Sequence, residues 1–222
     1  MTTSVPLTRQ IPPASEVFTD DALRRAAAAA EAGDVAQVRA IAASGPPPVD
    51  LDSVAPSGVN LLMYEIAAQH EVAVRALLSA GADPNALSPQ GVSPMLVAGG
   101  SEDPRWLALL LDNGGDCDLK NQFGEPLLTL LVAYTRWDNL VLLLDRGAKI
   151  DATGPSGQTA TFRLGALHQF DHVFAMLERG ADPTLADVNG LQLRAFVAQR
   201  VTPGSPQEPW RDRVAERIGA GQ

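Results

Sequence analysis

The sequence predicts an all-α solenoid of about six helix-turn-helix repeats, joined by hairpin loops and closed by modified terminal caps. Two glycine ladders and one aliphatic register carry that prediction. Gly58, Gly91, Gly124, Gly157 and Gly190 follow one another at intervals of 33 residues, and Gly81, Gly114, Gly147 and Gly180 repeat at the same interval, 23 residues behind. A fixed period of this length means one supersecondary unit copied along the chain. Each copy cannot bury its apolar face alone and must stack on its neighbours. Between the ladders, Val74, Leu107, Leu140 and Val173 share one register, Leu77, Leu110, Leu143 and Met176 the next, and Leu78, Leu111, Leu144 and Leu177 a third. Offsets of three and four residues place these side chains on one buried helix face.

In chain order, residues 1–19 read as an N-terminal extension and 20–222 as the repeat domain, with caps over 20–52 and 190–222 and regular repeats over 53–189. Ala22 to Arg25 and the run Ala26 to Ala30 make a strong first helix. Gly33 and Gly45 bracket a second, carrying Val35, Val38 and Ile41, and Pro46-Pro47-Pro48 lengthens the next loop. In the regular units, openings such as Gly91-Val92-Ser93-Pro94-Met95 and Gly124-Glu125-Pro126-Leu127-Leu128 lead into a short helix. A second helix follows and stops at the late glycine, as a left-handed C-terminal cap requires. Extended turns come next: Ala82-Asp83-Pro84-Asn85, Gly115-Asp116-Cys117-Asp118, Ala148-Lys149-Ile150-Asp151 and Ala181-Asp182-Pro183-Thr184. Downstream, Gly190 to Arg200 reads as a last first helix. A loop with Pro203, Gly204, Ser205 and Pro206 then precedes an amphipathic helix on Trp210, Val214 and Arg217-Ile218.

These residues resemble the ankyrin repeat, whose pattern opens on G-x-T-P-L-H and closes on G-A-D-V-N-A. Gly81-Ala82-Asp83-Pro84-Asn85-Ala86 and Gly180-Ala181-Asp182-Pro183 match the close, and Ser93-Pro94-Met95 the opening. The resemblance runs from Ala22 to about Val201. Asn60-Leu61 and Thr159-Ala160 lack the Thr-Pro pair and Lys149 stands where aspartate is usual, so weaker local turns are expected there.

Composition narrows the function classes. The formal charge of −9 comes from six basic against twelve acidic residues before Asp112 and eleven against fourteen from it onward. Neither half offers the concentrated positive charge that phosphate backbones demand, so nucleic acid is not an expected partner. An acidic surface suits a basic protein partner. Cys117 is the only cysteine, which excludes an internal disulfide and a cysteine-rich metal site. Met1 to Pro13 lack the apolar run of a signal peptide and no stretch approaches a membrane span, so a cytoplasmic chain is expected as written, with no membrane insertion. A periplasmic site stays open if an export signal has been removed.

The search for chemistry yields no catalytic residue, no metal ligand set and no cofactor. His168 and His172 have zinc-like i,i+4 spacing beside Asp171, but the repeat register puts His168 in a turn and His172 at a helix start, off a shared face. His70-Glu71 opens like a metalloprotease H-E-x-x-H motif, yet Val74 occupies the second histidine position. No nucleophile elbow, phosphate loop or dinucleotide fingerprint occurs. Asp112, Asp116 and Asp118 evoke calcium, but Asp116 is the ordinary hairpin aspartate, explained by turn formation. Trp106 and Trp137 start second helices and read as core rather than anchors. Cys117 reads as a buried structural thiol.

What a stack offers instead is a flank of hairpin tips and first-helix ends, aligned from repeat to repeat into a concave ridge. The ankyrin pattern varies at positions that fall here on Pro89, Gln90 and Val92, on Gln122, Phe123, Glu125, Ala133 and Tyr134, and on Ser156, Gln158, Ala166 and Leu167. Residues flanking the late glycine and the hairpin add Asn113, Lys120, Arg146, Thr153 and Arg179. The partner-binding set drawn from these is Gln90, Val92, Lys120, Gln122, Phe123, Glu125, Tyr134, Arg146, Thr153, Leu167 and Arg179. Phe123 and Tyr134 put large aromatic groups where the repeat core needs none, and with Arg146 and Arg179 they are of the types enriched at binding hot spots.

Val17-Phe18-Thr19-Asp20, Leu109-Leu110-Leu111-Asp112-Asn113-Gly114-Gly115-Asp116 and Gln169-Phe170-Asp171-His172-Val173 resemble small bacterial ankyrin proteins encoded beside secreted antibacterial effectors, lipases among them. That resemblance implies an immunity protein of type VI secretion kind, which neutralises its cognate effector by covering the active site. Many such proteins are exported lipoproteins, whereas Met1 to Pro13 hold no lipidation cysteine. A generic intracellular adaptor or regulatory scaffold is the alternative. Both readings exclude catalysis by the chain itself.

Overall fold

A computed structural model describes residues 11–199 and 201–219. Residues 1–10 of the expected extension, Arg200 at the expected end of a helix, and 220–222 lie outside that range. The described residues form thirteen helices and two isolated antiparallel bridges, Lys120 with Pro126 and Ala186 with Gln192. They fall into two compact units, Met1–Val97 and Ala98–Gln222.

The first unit holds α1 (Ala14–Val17), α2 (Asp21–Glu31), α3 (Val35–Ala42), α4 (Leu61–Ala67) and α5 (Glu71–Ala80), and the chain passes to the second unit within α6 (Pro94–Gly100). α2 starts where Asp20 accepts the N–H groups of Ala22 and Leu23 at 2.7 and 3.1 Å, an N-cap that satisfies donors the helix leaves open. Its alanine run buries Ala26, Ala27, Ala29 and Ala30, small enough for α3 and α5 to approach closely. The segment before α2 is structured: Phe18 is fully buried, edge-on to Tyr64 at 5.8 Å, and the Tyr64 hydroxyl donates to the Pro12 carbonyl at 2.9 Å.

The second unit contains α7 (Pro104–Leu111), α8 (Leu127–Ala133), α9 (Trp137–Asp145), α10 (Ala160–Ala166), α11 (Phe170–Glu178), α12 (Arg194–Val197) and α13 (Glu208–Arg217). Its core is the aliphatic register: Leu107, Leu110, Leu140, Leu143, Val173 and Met176 are fully buried, each contributing roughly 1.5–3 kcal/mol by leaving water. Leu111 and Leu144, in the third register, are half-buried. The last first helix, α12, is only four residues long. α13 is held by Val214, fully buried, and by Arg213, whose guanidinium lies 5.5 and 4.8 Å from the Phe174 and Trp210 ring centres.

One closing device recurs four times. The N–H groups of Ala82, Gly115, Ala148 and Ala181 donate to the carbonyls of Leu77, Leu110, Leu143 and Met176 at 2.9–3.1 Å. This is the six-to-one bond that a left-handed residue allows at a helix end. The late glycines Gly81, Gly114, Gly147 and Gly180 supply that residue, with φ between 91° and 107°. First helices end similarly, but Gln69, Thr135 and His168 adopt the left-handed conformation there, at φ 55–61°.

The consensus departures cost less than the sequence suggested. Asn60 and Thr159 each cap their helix, accepting the Met63 and Phe162 N–H groups at 2.9 and 3.0 Å. At Lys149 the turn keeps its Ala152 N–H to Lys149 carbonyl bond at 3.0 Å, and Lys149 Nζ lies 3.3 Å from Asp118. Hairpins are also tied to the next repeat, because Asp52, Asp118 and Asp151 accept the backbone N–H of Asp83, Lys149 and Asp182 at 2.8–3.1 Å. Burial pushes the Asp52 carboxyl up to about 6 against that hydrogen bond, with the charges of Asp50 and Asp83 adding to the rise.

Gly147→Ala should lower stability by about 1–2 kcal/mol, the cost of a left-handed L-residue, because no heavy atom lies within 4 Å of an added Cβ. Gly147→Asn should cost less, since asparagine tolerates that conformation; equal losses in urea titrations would contradict the backbone explanation. A raised folded-state value at Asp52 means a contribution present below its unfolded value and lost as pH rises through about 6. Asp52→Asn keeps an acceptor for Asp83 and should flatten the fall in melting temperature between pH 4 and 7 relative to wild type, whereas parallel curves would remove Asp52 as a source.

Candidate protein-binding surface

The hairpin tips are built by short side chains that organise their own backbone. At the Asn121 tip, Oδ1 accepts the N–H groups of Phe123 and Glu125 at 2.9 and 3.0 Å, and the Gly124 N–H donates to the Asn121 carbonyl at 2.9 Å. Phe123 is thereby held outward, 69% exposed. Asp187 repeats the device two units on, accepting from Asn189 and Leu191 at 2.9 Å, and the Leu191 N–H above all holds its carboxyl below the ordinary range. Val188 on that tip is 70% exposed.

First-helix ends supply the second row. Tyr134 and Leu167 are the residues that end α8 and α10, one period apart, and they are 45% and 55% exposed. The left-handed Thr135 and His168 follow them directly and turn the chain away. A shallow polar groove of about 230 Å³, lined by Ser101, Glu102 and residues 135–139, opens beside this turn. Arg136 and Asn139 brace it, donating to the carbonyls of Gly100, Gly99 and Ser101 at 2.7–2.8 Å.

The sequence-derived set divides. Gln122, Phe123, Tyr134 and Leu167 are exposed in the second unit, and Gln90 and Val92 are exposed in the first, with the Gln90 side chain laid across Gly58. The others are engaged in holding repeats together. Glu125 Oε2 accepts from Arg163 at 2.6 Å, both side chains only about a fifth exposed, and the carboxylate lies across Gly154, where any Cβ would collide. Lys120 Nζ donates to the carbonyl of half-buried Thr153 at 3.2 Å. Arg146 and Arg179, just past α9 and α11, pair with Asp112 and Asp145 at 2.5 and 2.7 Å, forming rungs along the second helices. Such exposed rungs are each worth under about 1 kcal/mol.

The chemistry-bearing candidates resolve as follows. Trp106 is buried, and Trp137 is half-buried and stacks on His172 with ring centres 4.0 Å apart. His168 reaches Gln199 instead, at 3.2 Å, so the two rings of the histidine pair take different partners. Asp116 accepts the Asp118 N–H at 2.9 Å as a turn former. Cys117 is half-buried, and burial, then Asp118 and Asp116, raise its thiol, which disfavours the reactive thiolate.

Two features escaped the sequence reading. Val188, at the end of the regular repeats, and Leu191, in the region read as a cap, extend the exposed apolar tips, and Leu191 shares the register of Val92 and Glu125. Glu31 at the end of α2, Glu65 within α4 and His70 at the N-cap of α5 come together, their ligand atoms within 4.8 Å of one another. Glu65 is fully buried and its Oε2 lies 2.8 Å from His70 Nδ1. Burial pushes its carboxyl up to about 7, against the lowering effect of the His70 hydrogen bond, and the Glu31 charge raises it further.

No family model and no curated protein matches this sequence. Solved structures do. The ankyrin repeat protein EF0377 superposes with a TM-score of 0.66 at 23% identity, over 89% of this chain and 97% of that one. The ankyrin repeat domain of Bcl-3, a member of the IkappaB family, gives 0.71 at 23% identity over 92% and 87%. An ankyrin repeat domain from Acinetobacter baumannii AYE gives 0.66 at 23% identity over 88% and 97%. The fold is therefore the ankyrin-repeat fold, all-α with about six helix-turn-helix repeats. No helix among the described residues is long and apolar enough to cross a membrane.

Glu125→Gln should destabilise the second unit by about 1–3 kcal/mol, below the cost of stranding a fully buried charge because Arg163 keeps some solvent. Chemical unfolding monitored by circular dichroism measures this, and an unchanged midpoint would leave Glu125 free to serve a partner instead.

Proposed function

We propose that this chain is a protein-binding module without catalytic chemistry of its own, and that its partner docks on Phe123, Tyr134 and Leu167. The observation that carries the proposal is Phe123, a large aromatic side chain 69% exposed on a tip braced by Asn121. Exposed aromatic anchors on pre-organised backbone lose little entropy on binding. Gln122 beside it and the net charge of −9 favour a polar rim facing a basic partner surface.

The partner class we favour is a secreted antibacterial effector, lipase-type among the candidates, which the chain would neutralise as an immunity protein by covering the active site. This reading rests on the sequence resemblance at Val17 to Asp20, Leu109 to Asp116 and Gln169 to Val173. Occlusion requires a rigid surface of roughly standard interface size, about 1,600 Å² in total. The residues left unengaged by the fold then matter more than Arg146 and Arg179, whose rungs would have to open.

Replacing Phe123 and Tyr134 together by alanine should weaken the partner by 100-fold or more, each anchor contributing about 2 kcal/mol, with helicity unchanged. Affinity capture from a bacterial lysate, followed by titration of the captured protein, supplies the measurement. An effector lost by the double variant supports the proposal. Capture of housekeeping proteins alone would contradict the immunity reading, and full affinity in the double variant would contradict the surface.

A further inference from the structure

We infer that Glu31, Glu65 and His70 form a binding site for one divalent transition-metal ion of the zinc class, clipping α2, α4 and α5 together within the first unit. The repeat itself marks Glu65 as out of place. Residues one, two and three periods later are Ala98, Leu131 and Leu164, all buried apolar side chains. A carboxylate at such a position loses its hydration and needs compensation. His70 offers one hydrogen bond, to Oε2 at 2.8 Å, while Oε1 is buried with no hydrogen-bond partner. Glu31, the last residue of α2, presents Oε1 4.0 Å from His70 Nδ1.

One imidazole nitrogen and two carboxylates are a ligand set that zinc accepts, with the remaining position left to water. Ligand distances of about 2.0–2.2 Å put two donors of one ion no more than about 4.4 Å apart. The present spread of up to 4.8 Å is close to that limit. The long side of the triangle closes through Glu31, whose side chain is 43% exposed and free to adjust. An ion replaces the proton between His70 Nδ1 and Glu65 Oε2, which separate by about half an ångström to tetrahedral spacing. A bidentate Glu65 would bring the stranded Oε1 into coordination as well. His70 lies at the N-cap of α5 and Glu65 within α4, so both first-unit helices present their ligands from fixed backbone.

The test is calorimetric titration of ZnCl2 into the full chain after chelator treatment and dialysis, paired with melting curves. One ion per chain with a raised melting temperature is expected, and magnesium should not compete. Glu65→Gln, similar in size and neutral, should abolish binding; Glu31→Gln, at an exposed position that does not threaten folding, should weaken it about tenfold or more. The double variant His168→Asn with His172→Asn should bind as wild type. No uptake by wild type, undiminished uptake by Glu31→Gln, or loss of the ion in the His168/His172 variant would each overturn the inference.

Discussion

The second helices α5, α7, α9 and α11 each end where a glycine enters the left-handed region and lets a backbone N–H reach five residues back to a carbonyl. The carbonyls concerned belong to Leu77, Leu110, Leu143 and Met176, whose side chains are fully buried. Closure and core are thus specified by the same residues. A side chain committed to the core fixes the rotation of its helix, and the glycine four residues later fixes where the chain leaves it. The hairpin then begins at the same place in every repeat, and Asp52, Asp118 and Asp151 can each meet a backbone N–H of the following repeat.

A surface follows from this arrangement. Hairpin tips are shaped locally by Asn121 and Asp187, so their outward residues have no packing duty. Phe123 and Val188 project there, with Tyr134 and Leu167 at the ends of first helices. Enzymes gather titratable groups in enclosed pockets. Here the groove of about 230 Å³ beside residues 135–139 is polar and shallow, and Arg136 and Asn139 within it donate to the carbonyls of Gly100, Gly99 and Ser101.

Much of the fold was legible because its determinants are strictly periodic and each has one physical cause. Glycine marks positive φ, and aliphatic triplets mark a buried face. Asp116 and Trp106 were read correctly as turn and core for the same reason. The surface was harder to read. Arg146 and Arg179 looked like hot-spot residues in isolation, but Asp112 and Asp145 stand one residue more than a period before them and take them as ion-pair partners. Glu125 is likewise tied to Arg163, 38 residues on. Phe18 and the convergence of Glu31, Glu65 and His70 depend on how helices pack, which no local pattern encodes. The one available signal was Glu65 itself, acidic in a register that is otherwise Ala98, Leu131 and Leu164.

The central claim is that one closing bond, repeated from helix to helix, fixes where each hairpin begins and so holds the exposed side chains of the second unit in place. Amide hydrogen exchange of the free chain, resolved by residue with NMR, addresses it most directly. The account predicts that the N–H groups of Ala82, Gly115, Ala148 and Ala181 exchange slowly, in company with the interiors of the helices they close. Exchange of those four at the rate of unstructured chain would contradict it.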